Sequence, residues 1–333
     1  MIARILKYWS YPNLLRQTPG GHGIWKGIQF TVDETGEADY VILHGHAKHP
    51  ALVRCPKGCV WLVLGEAPHE LANSWHVVPA WIDRVYTTDP RRIGEKYHLS
   101  YSGLPWWVDR DYDFLTTCPM PAKVRALSWI TSNQLVIAGH HYRMKFLTRV
   151  REMEELNLFG RGFHPLQDKW DALAPYRYSI AFENFSNSHY WSEKVMDCFL
   201  TWTMPIYFGC TELANFFPRE SFVQLHPEHP DPVGFIRDVI HGDLRERNID
   251  ALNEARNRVL GRYNLFEFLA NEIASQRAVR GDHCPRSRRI RVQDHTRIPS
   301  GGFKNAVVAW MRQSTPKHVR RAISGMRHLV RWR

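Results

Sequence analysis

Short apolar runs recur along most of the chain, each bounded by turn-forming residues. They cover residues 40–43, 60–64, 124–130, 156–159, 178–182, 205–208 and 221–225. Runs this continuous are typical of strands that are buried on both faces of a parallel sheet. The run over 124–130 is the least regular, because Arg125 interrupts it. The pattern therefore predicts seven buried strands.

Amphipathic stretches separate several of these runs. One of them has apolar residues at positions i, i+3, i+4 and i+7, namely Val195, Cys198, Phe199 and Trp202. Ser192 precedes this stretch and is suited to cap the start of a helix. A similar stripe predicts a helix over residues 143–156. Alternating strands and helices indicate an α/β protein with open sheets and crossover connections.

Two sequence breaks divide the chain. Pro119 and Pro121 separate two strand-rich halves, and the sequence becomes polar and basic soon after Ser275. We therefore predict domains over 1–120 and 121–280, followed by a basic segment over 281–333. Sheets of this class bind ligands at the carboxyl ends of their strands, so a cleft between the two halves is the expected site.

The excess positive charge is concentrated at the C-terminal end of the sequence. The 333 residues are 44% hydrophobic and include 13 Trp, which is ample material for packed cores. The net charge is +11, but residues 276–333 alone hold 15 Lys and Arg against two acids. The preceding 275 residues are therefore close to neutral, which argues against a nucleic-acid surface spread over the whole protein.

Cysteine usage and hydropathy indicate a reducing compartment and no membrane span. The six cysteines form neither a disulfide framework nor a zinc pattern, and the CPKGC of Cys55 and Cys59 has no second pair at metal spacing. No apolar run approaches about 18 residues, and no signal peptide is apparent at the N-terminus. These features predict a cytoplasmic protein.

The richest candidate site lies between the strand over 178–182 and the next helix. Glu183 and Asn184 leave the strand at its carboxyl end, Tyr190 lies in the loop, and Glu193 and Lys194 open the helix. A helix N-terminus with a lysine favours an anionic ligand such as a diphosphate, and the two glutamates are suited to hold sugar hydroxyls. An ordinary connection with surface charges would have the same composition.

Two further strand ends carry polar residues. Ser132 and Asn133 follow the strand over 124–130, and Arg143 lies in the next helix, where its guanidinium could bind phosphate oxygens in a fork. Glu66 follows the strand over 60–64 and is placed as a general base, with Glu70 as the second candidate. A solvent-exposed loop glutamate is the alternative interpretation of Glu66.

The motifs together resemble one enzyme family. The segment AFEN (residues 181–184), then YWSEK (190–194) and MPIYFG (204–209), closely resembles the signature of the family 10 glycosyltransferases, in particular bacterial α1,3/4-fucosyltransferases. The resemblance covers about residues 120–280 and is weaker over 36–120. It implies a GT-B fold, in which two Rossmann-like domains face a cleft. Residues 1–120 would bind the acceptor and residues 121–280 would bind the GDP-sugar. The resemblance is absent after residue 285, where the sequence pattern itself predicts a basic helical tail.

The resemblance also implies the reaction and the roles of the residues. An inverting fucosyltransferase would move L-fucose from GDP-β-L-fucose to an acceptor glycan, with an α1,3 linkage to a GlcNAc-type sugar such as one in lipopolysaccharide. Glu66 would be the base, Trp106 or Trp107 could stack on the acceptor, and seven residues besides Lys194 would form the donor site: Ser132, Asn133, Arg143, Glu183, Asn184, Tyr190 and Glu193. No Asp-x-Asp metal motif appears at a predicted strand end, so we expect no required cofactor and at most a stimulation by divalent ions. The alternatives are a different GDP-6-deoxysugar or a binding protein without turnover.

The C-terminal segment has the pattern of an interfacial helix. Thr315 and Pro316 are suited to begin a helix, and five apolar residues share one face of it: Val319, Ala322, Ile323, Met326 and Val330. Basic residues flank this face, and Trp332 stands near the end. The pattern favours peripheral binding to the anionic inner face of the membrane over binding to nucleic acid. Docking of the same face on the body of the protein is the alternative.

Truncation after Gly302 tests the membrane contact. We expect the shortened protein to bind GDP like the full chain but to lose co-sedimentation with anionic lipid vesicles, because each basic residue near such a surface contributes about 1 kcal/mol. Co-sedimentation of the full chain should weaken as salt is raised. Vesicle binding that survives truncation, or a full chain that ignores anionic vesicles at low salt, would contradict the prediction.

Overall fold

A computed structural model describes residues 1–68, 78–280 and 287–292. Its first part supplies nine strands: β1 (Ile2–Lys7), β2 (Ile24–Trp25), β3 (Ile28–Thr31), β4 (Gly36–Glu37), β5 (Tyr40–His44), β6 (Ala51–Pro56), β7 (Val60–Leu64), β8 (Arg84–Thr87) and β9 (Tyr97–Leu99). Seven of them form the first sheet in the order β2-β3-β1-β5-β7-β8-β9. Its pairings are parallel except for β2 with β3. Every residue of β5 and β7 is buried, as the continuous apolar runs predict.

The second part supplies the remaining elements. They are α1 (Tyr112–Thr117), β10 (Arg125–Ile130), α2 (Ala138–Val150), β11 (Leu156–Phe159), β12 (Tyr176–Phe182), α3 (Glu193–Leu200), β13 (Met204–Phe208), β14 (Val223–Gln224), α4 (Pro232–His241), α5 (Leu244–Arg247), α6 (Ile249–Leu260), α7 (Leu265–Arg280) and β15 (Ser287–Val292). The second sheet is fully parallel, in the order β11-β10-β12-β13-β14. We call the first sheet and the elements packed on it the first lobe. The second sheet and the elements packed on it are the second lobe.

The predicted α/β class is confirmed, and all seven predicted strands are present. The last one is shorter than expected, because Ser221 belongs to a 3₁₀ turn and only Val223 and Gln224 pair with β13. The helix predicted over 143–156 begins earlier, at Ala138, and ends at Val150. Its end is earlier because Leu156 is already the first residue of β11.

The two lobes exchange segments of chain. Helix α7 packs its apolar side chains, among them Phe266 and Ile273, into the core of the first lobe. The Trp25 indole also donates to Glu267 of α7 at 2.7 Å. Conversely, residues 101–115 contribute Tyr101 and Trp106 to the core of the second lobe. The boundary expected at 120 therefore lies in the middle of interleaved packing, and the division of function between 1–120 and 121–280 stays a prediction.

Part of the predicted tail belongs to the fold. Residues 287–292 form β15, which pairs antiparallel with β6 in a small sheet of the order β15-β6-β4. Ile290 and Val292 are buried there, whereas Arg289 and Arg291 alternate to the exposed face. The expectation of a helical tail is therefore wrong for this stretch. The helix predicted from Thr315 onward lies outside the described residues.

None of the helices in the described ranges is long and apolar enough to cross a membrane.

Candidate active site

Glu66 lies at the carboxyl end of β7 and faces the second lobe. It follows Gly65 directly after the strand, is exposed, and lines a cavity of about 250 Å³ between the lobes. The opposite wall of that cavity is built from Asn184, Tyr190, Glu193 and Lys194. The predicted base and four predicted donor-side residues are thus brought together around one space. Glu70 lies outside the described residues.

Glu183 is held away from the cavity. Its side chain is fully buried, and Oε1 accepts hydrogen bonds from the backbone N–H (2.9 Å) and the hydroxyl (2.6 Å) of Ser192. The second oxygen pairs with Lys194 Nζ at 2.9 Å. Both oxygens of this carboxylate are therefore engaged within the protein. In contrast to the expectation that Glu183 holds a sugar hydroxyl, its contacts are those of a residue that fixes Ser192 and Lys194 in place.

An alternating series of charges continues from Lys194 along helix α3. Glu193 lies 3.7 Å from Lys194 and 3.4 Å from Lys169, and Lys169 pairs more closely with the buried carboxylate of Asp197 at 3.0 Å. Burial disfavours the ionised form of Glu193, but Lys194 and Lys169 outweigh burial and lower the pKa of Glu193 to about 2. Each lysine thus has one tight partner, and Glu193 is the loosely held carboxylate between them.

Asp197 connects this series to the segment that lines the cavity. Its Oδ1 accepts hydrogen bonds from the backbone N–H groups of Trp107 (2.8 Å) and Val108 (3.3 Å). The ring of Trp107 is half-buried and lines the same cavity as Glu66. Trp106, the other tryptophan proposed to stack on an acceptor, is only 1% exposed and belongs to the core. The structure therefore leaves Trp107, and not Trp106, available to a ligand.

Arg143 lies beneath the start of α2 and faces a second cavity. It belongs to the second turn of that helix, one turn later than expected, and its Nη2 donates to the carbonyl (3.0 Å) and hydroxyl (3.1 Å) oxygens of Ser132. Burial lowers the pKa of Arg143, and the charge of Glu183 opposes this. Its buried Nε has no hydrogen-bond partner among the described residues. A buried guanidinium N–H without a partner is available to a ligand.

The second cavity is lined by the cationic side chains of the site. It has a volume of about 170 Å³, and its walls include Arg143, Lys169 and Lys194 together with Glu193 and Asp197. Glu193 and Lys194 also line the first cavity, so the two spaces meet at the start of α3. Three cations around one small space are suited to an anionic ligand.

Close backbone packing brings α2 against the loop that follows β12. A Cβ atom at Gly139 would collide with the carbonyl oxygen of Asn184, so only glycine permits this approach. The Asn184 amide lies 3.4 Å from His140 Nε2, and its Oδ1 is buried without a partner among the described residues.

Asn133 is a predicted site residue that the structure places away from the others. It is exposed, lies against Gly162, and lines neither cavity.

Tyr190 and the residues around it are held rigidly. Tyr190 is buried, its N–H donates to Asn187 Oδ1 at 2.6 Å, and burial raises the pKa of its phenol well above the usual range. The neighbouring ring of Trp191 stacks on Tyr101 with the ring centres 5.0 Å apart. Tyr190 therefore presents a neutral hydroxyl to the cavity.

Sequence reasoning missed three residues of this site, namely Tyr8, Lys169 and Asp197. Asp197 had a detectable signal, because an acid four residues after Glu193 interrupts the apolar face of the helix. Lys169 and Tyr8 had none, since each reaches the site from a distant part of the chain. Among residues 1–68, 78–280 and 287–292, no group of three His, Cys, Asp or Glu side chains is arranged to hold a metal ion.

Comparison with known proteins agrees with the motif resemblance. Residues 120–230 match the family model described as glycosyltransferase family 10 (fucosyltransferase), C-terminal part. Over 154 residues the chain is 27% identical to the human and rat 4-galactosyl-N-acetylglucosaminide 3-alpha-L-fucosyltransferase 9, covering 42% of this chain and 42% of each relative. Over 61 residues it is 34% identical to the alpha-(1,3)-fucosyltransferase FucT of Helicobacter pylori, covering 18% of this chain and 13% of that protein.

Two solved structures are similar in overall shape. One is an α1,3-fucosyltransferase with GDP, with a TM-score of 0.48 and 16% identity, covering 85% of this chain and 91% of that one. The other is a DNA-modifying β-glucosyltransferase, with a TM-score of 0.49 and 7% identity, covering 83% of this chain and all of that one.

The predicted resemblance is confirmed over residues 120–230, which match the C-terminal part of the glycosyltransferase family 10 (fucosyltransferase) model. This range contains all the predicted donor-side residues. The chain spans less than half of the length of the fucosyltransferase 9 relatives that it matches.

Replacement of Glu183 tests its placement. Glu183→Gln should lower the free energy of unfolding by about 2–4 kcal/mol, because it leaves Lys194 without its buried counter-charge. Glu254→Gln is the matched control, since Glu254 pairs with Arg258 on the surface of α6 with 55% of its side chain exposed. That change should cost less than about 1 kcal/mol. Urea denaturation measures both, and equal effects would contradict the assignment of Glu183 to a buried pair.

Proposed function

We propose that the protein is an inverting fucosyltransferase with the GT-B arrangement, moving L-fucose from GDP-β-L-fucose to a hydroxyl of an acceptor glycan. One observation carries the proposal. Glu66 of the first lobe faces Asn184, Tyr190, Glu193 and Lys194 of the second lobe across a single cavity. A base on one wall and an anion-binding group on the other are what a displacement at a sugar carbon needs.

In the proposed reaction Glu66 takes the proton from the acceptor hydroxyl. The freed electron pair of that oxygen attacks C1 of fucose, and the bond from C1 to the β-phosphate oxygen breaks on the opposite face. GDP leaves with the electron pair of that bond. One displacement of this kind inverts the configuration at C1, so β-linked fucose would give an α-linked product.

The leaving diphosphate would bind in the second cavity. Arg143, Lys169 and Lys194 line it, and the Nε–H of Arg143 is available there. Positive charges that are already in place beside the leaving diphosphate stabilise the negative charge that develops on it. They lower the activation barrier because the protein does not have to reorganise during the reaction. With three cations in this role, we propose that no metal cofactor is required, and that divalent ions would at most stimulate the reaction.

Sugar hydroxyls would be held by the groups with spare hydrogen-bonding capacity. Glu193 makes long ion pairs of 3.4 and 3.7 Å, and Asn184 Oδ1 has no partner among the described residues. Glu183 would act indirectly by fixing Ser192 and Lys194. Ser132 would orient Arg143, and Asn133 would contact the nucleoside at the rim.

The acceptor would lie against the aromatic part of the first cavity. Trp9 and Trp107 line it beside Glu66, and aromatic rings of this kind stack on the apolar faces of sugars. We propose an acceptor of the GlcNAc type, an α1,3 linkage, and a role in lipopolysaccharide glycan synthesis on the cytoplasmic face of the membrane. The acceptor type, the linkage and the lipopolysaccharide role depend on the family resemblance, and the membrane location depends on the basic C-terminal segment.

Glu66→Gln tests the base. The amide keeps the shape of the side chain but cannot take a proton at neutral pH, so transfer should fall about 10²–10⁴-fold. Calorimetric affinity for GDP should stay near that of the unchanged protein. Glu95→Gln, at an exposed glutamate of the first lobe, is the control. If Glu66→Gln transfers fucose at a near-normal rate, the base is another residue, and Glu70 would be tested next.

Arg143→Ala and Lys194→Ala test the diphosphate site. Each should weaken GDP binding by roughly 10–100-fold and slow turnover as well, because these charges also stabilise the leaving group. Arg143→Lys should remain impaired, since an ammonium cannot form a fork. Lys145→Ala serves as the control on the same helix, because Lys145 is 70% exposed. Unchanged GDP affinity in both alanine variants would exclude these residues from the donor site.

A further inference from the structure

Three neighbouring strands of the first sheet end beside Glu66. Strands β1, β5 and β7 are adjacent and parallel, so their carboxyl ends share one edge. Tyr8 directly follows β1, Gly45 and His46 follow β5, and Glu66 follows β7 after one glycine. The order of the strands thus brings Tyr8 next to a glutamate that is 58 residues away in sequence.

The ring of Tyr8 is fixed on three sides. It stacks on His46 with the ring centres 4.3 Å apart and the planes 14° from parallel, and it meets the edge of Trp9 at 5.1 Å. Gly45 has a φ of +74°, and a Cβ atom there would lie 3.2 Å from the tyrosine ring. The glycine therefore makes room for the ring and adopts a backbone conformation that other residues rarely accept.

The fixed ring aims its hydroxyl at the carboxylate of Glu66. Tyr8 Oη donates to Glu66 Oε1 at 2.7 Å, a normal length for an O–H···O bond. Burial, and then the charge of Glu66, raises the pKa of Tyr8 well above its ordinary value, so the phenol keeps its proton and remains a donor. No residue in the described ranges donates to Oε2, and Glu66 is exposed to the cavity.

We propose that Tyr8 is a positioning residue that holds the carboxylate of Glu66 in one orientation and turns its second oxygen, Oε2, toward the acceptor hydroxyl. The hydrogen bond from Tyr8 occupies Oε1 and leaves Oε2 to receive the proton. When Oε2 has taken the proton of the acceptor hydroxyl, Oε1 keeps its bond to Tyr8 and the carboxyl does not rotate. The inference rests on the proposed role of Glu66 as the base.

Several other ionisable groups surround Glu66. Those that face its cavity are Tyr8, His44, Tyr190, Glu193 and Lys194, with His46 behind Tyr8. Burial lowers the pKa of His44 to about 4, where its Nε2 lies 2.7 Å from the carbonyl oxygen of Gly103. The lysines keep Glu193 ionised, and Lys194 is itself held charged by Glu183 and Glu193 against the effect of burial.

Tyr8→Phe removes the donor and keeps the ring that stacks on His46. The first readout is a double-mutant cycle with Glu66→Gln, measured as the kcat of transfer from GDP-fucose. Tyr8→Phe alone should lower kcat about tenfold through loss of orientation. It should not slow the Glu66→Gln protein further, because the carboxylate that Tyr8 positions is already absent. Tyr97→Phe, at the far edge of the first sheet, is the matched control and should leave kcat unchanged.

The second readout separates the rate of transfer from binding. In Tyr8→Phe the KM for the acceptor and the affinity for GDP should both stay near those of the unchanged protein while kcat falls. A general loss of folding would not allow this separation.

The two proposals fail separately. A Tyr8→Phe protein that keeps the kcat of the unchanged protein, or a Tyr8→Phe change that slows Glu66→Gln tenfold as well, would overturn the role of Tyr8 and leave the proposed function standing. If Glu66→Gln keeps full activity, the base is another residue and the role of Tyr8 is wrong with it. If the unchanged protein transfers no fucose, the proposed function is wrong.

Discussion

The buried carboxylate of Glu183 is the feature on which the rest of the site depends. A charge taken out of water is tolerated only when it is fully paired, and here Ser192 and Lys194 meet both of its oxygens. This pairing fixes the start of α3 against the end of β12. The series of alternating charges then continues through Glu193 and Lys169 to Asp197, so each charged side chain is held by an ion pair with its neighbour. The cations of the site are therefore oriented before any ligand arrives.

Exchange of segments between the lobes joins the two walls of the first cavity. Helix α7 fills the core of the first lobe, and residues 101–115 fill that of the second. Asp197 of the second lobe holds the backbone of Trp107, and Tyr101 stacks on Trp191. Trp107 and the start of α3 are thus set by the same contacts, so the two walls of the cavity share one supporting structure.

The strands that sequence patterns predicted are those buried on both faces, because burial on both faces leaves a continuous apolar run. Strand β1 was missed since Arg4 and Lys7 interrupt it, although Arg4 is buried and donates to the carbonyl oxygen of Asp33. Strand β8 is short and begins with a charged residue, and β15 alternates arginine with apolar residues. Such strands form only because a neighbouring strand is available, and that depends on the tertiary fold.

The sequence by itself determined the loop between β12 and α3, because the end of β12, Glu183, the Ser192 cap and Lys194 lie within a dozen residues and their geometry is local. It also placed Glu66 at a strand end. Only the tertiary structure decided which carboxylates are engaged and which face the cavity: Glu183 is enclosed, Glu193 is loosely held, and Glu66 is aligned by Tyr8. The physical reason is distance along the chain. Lys169 and Tyr8 reach their partners through sheet order and packing, and a linear pattern carries no information about those contacts.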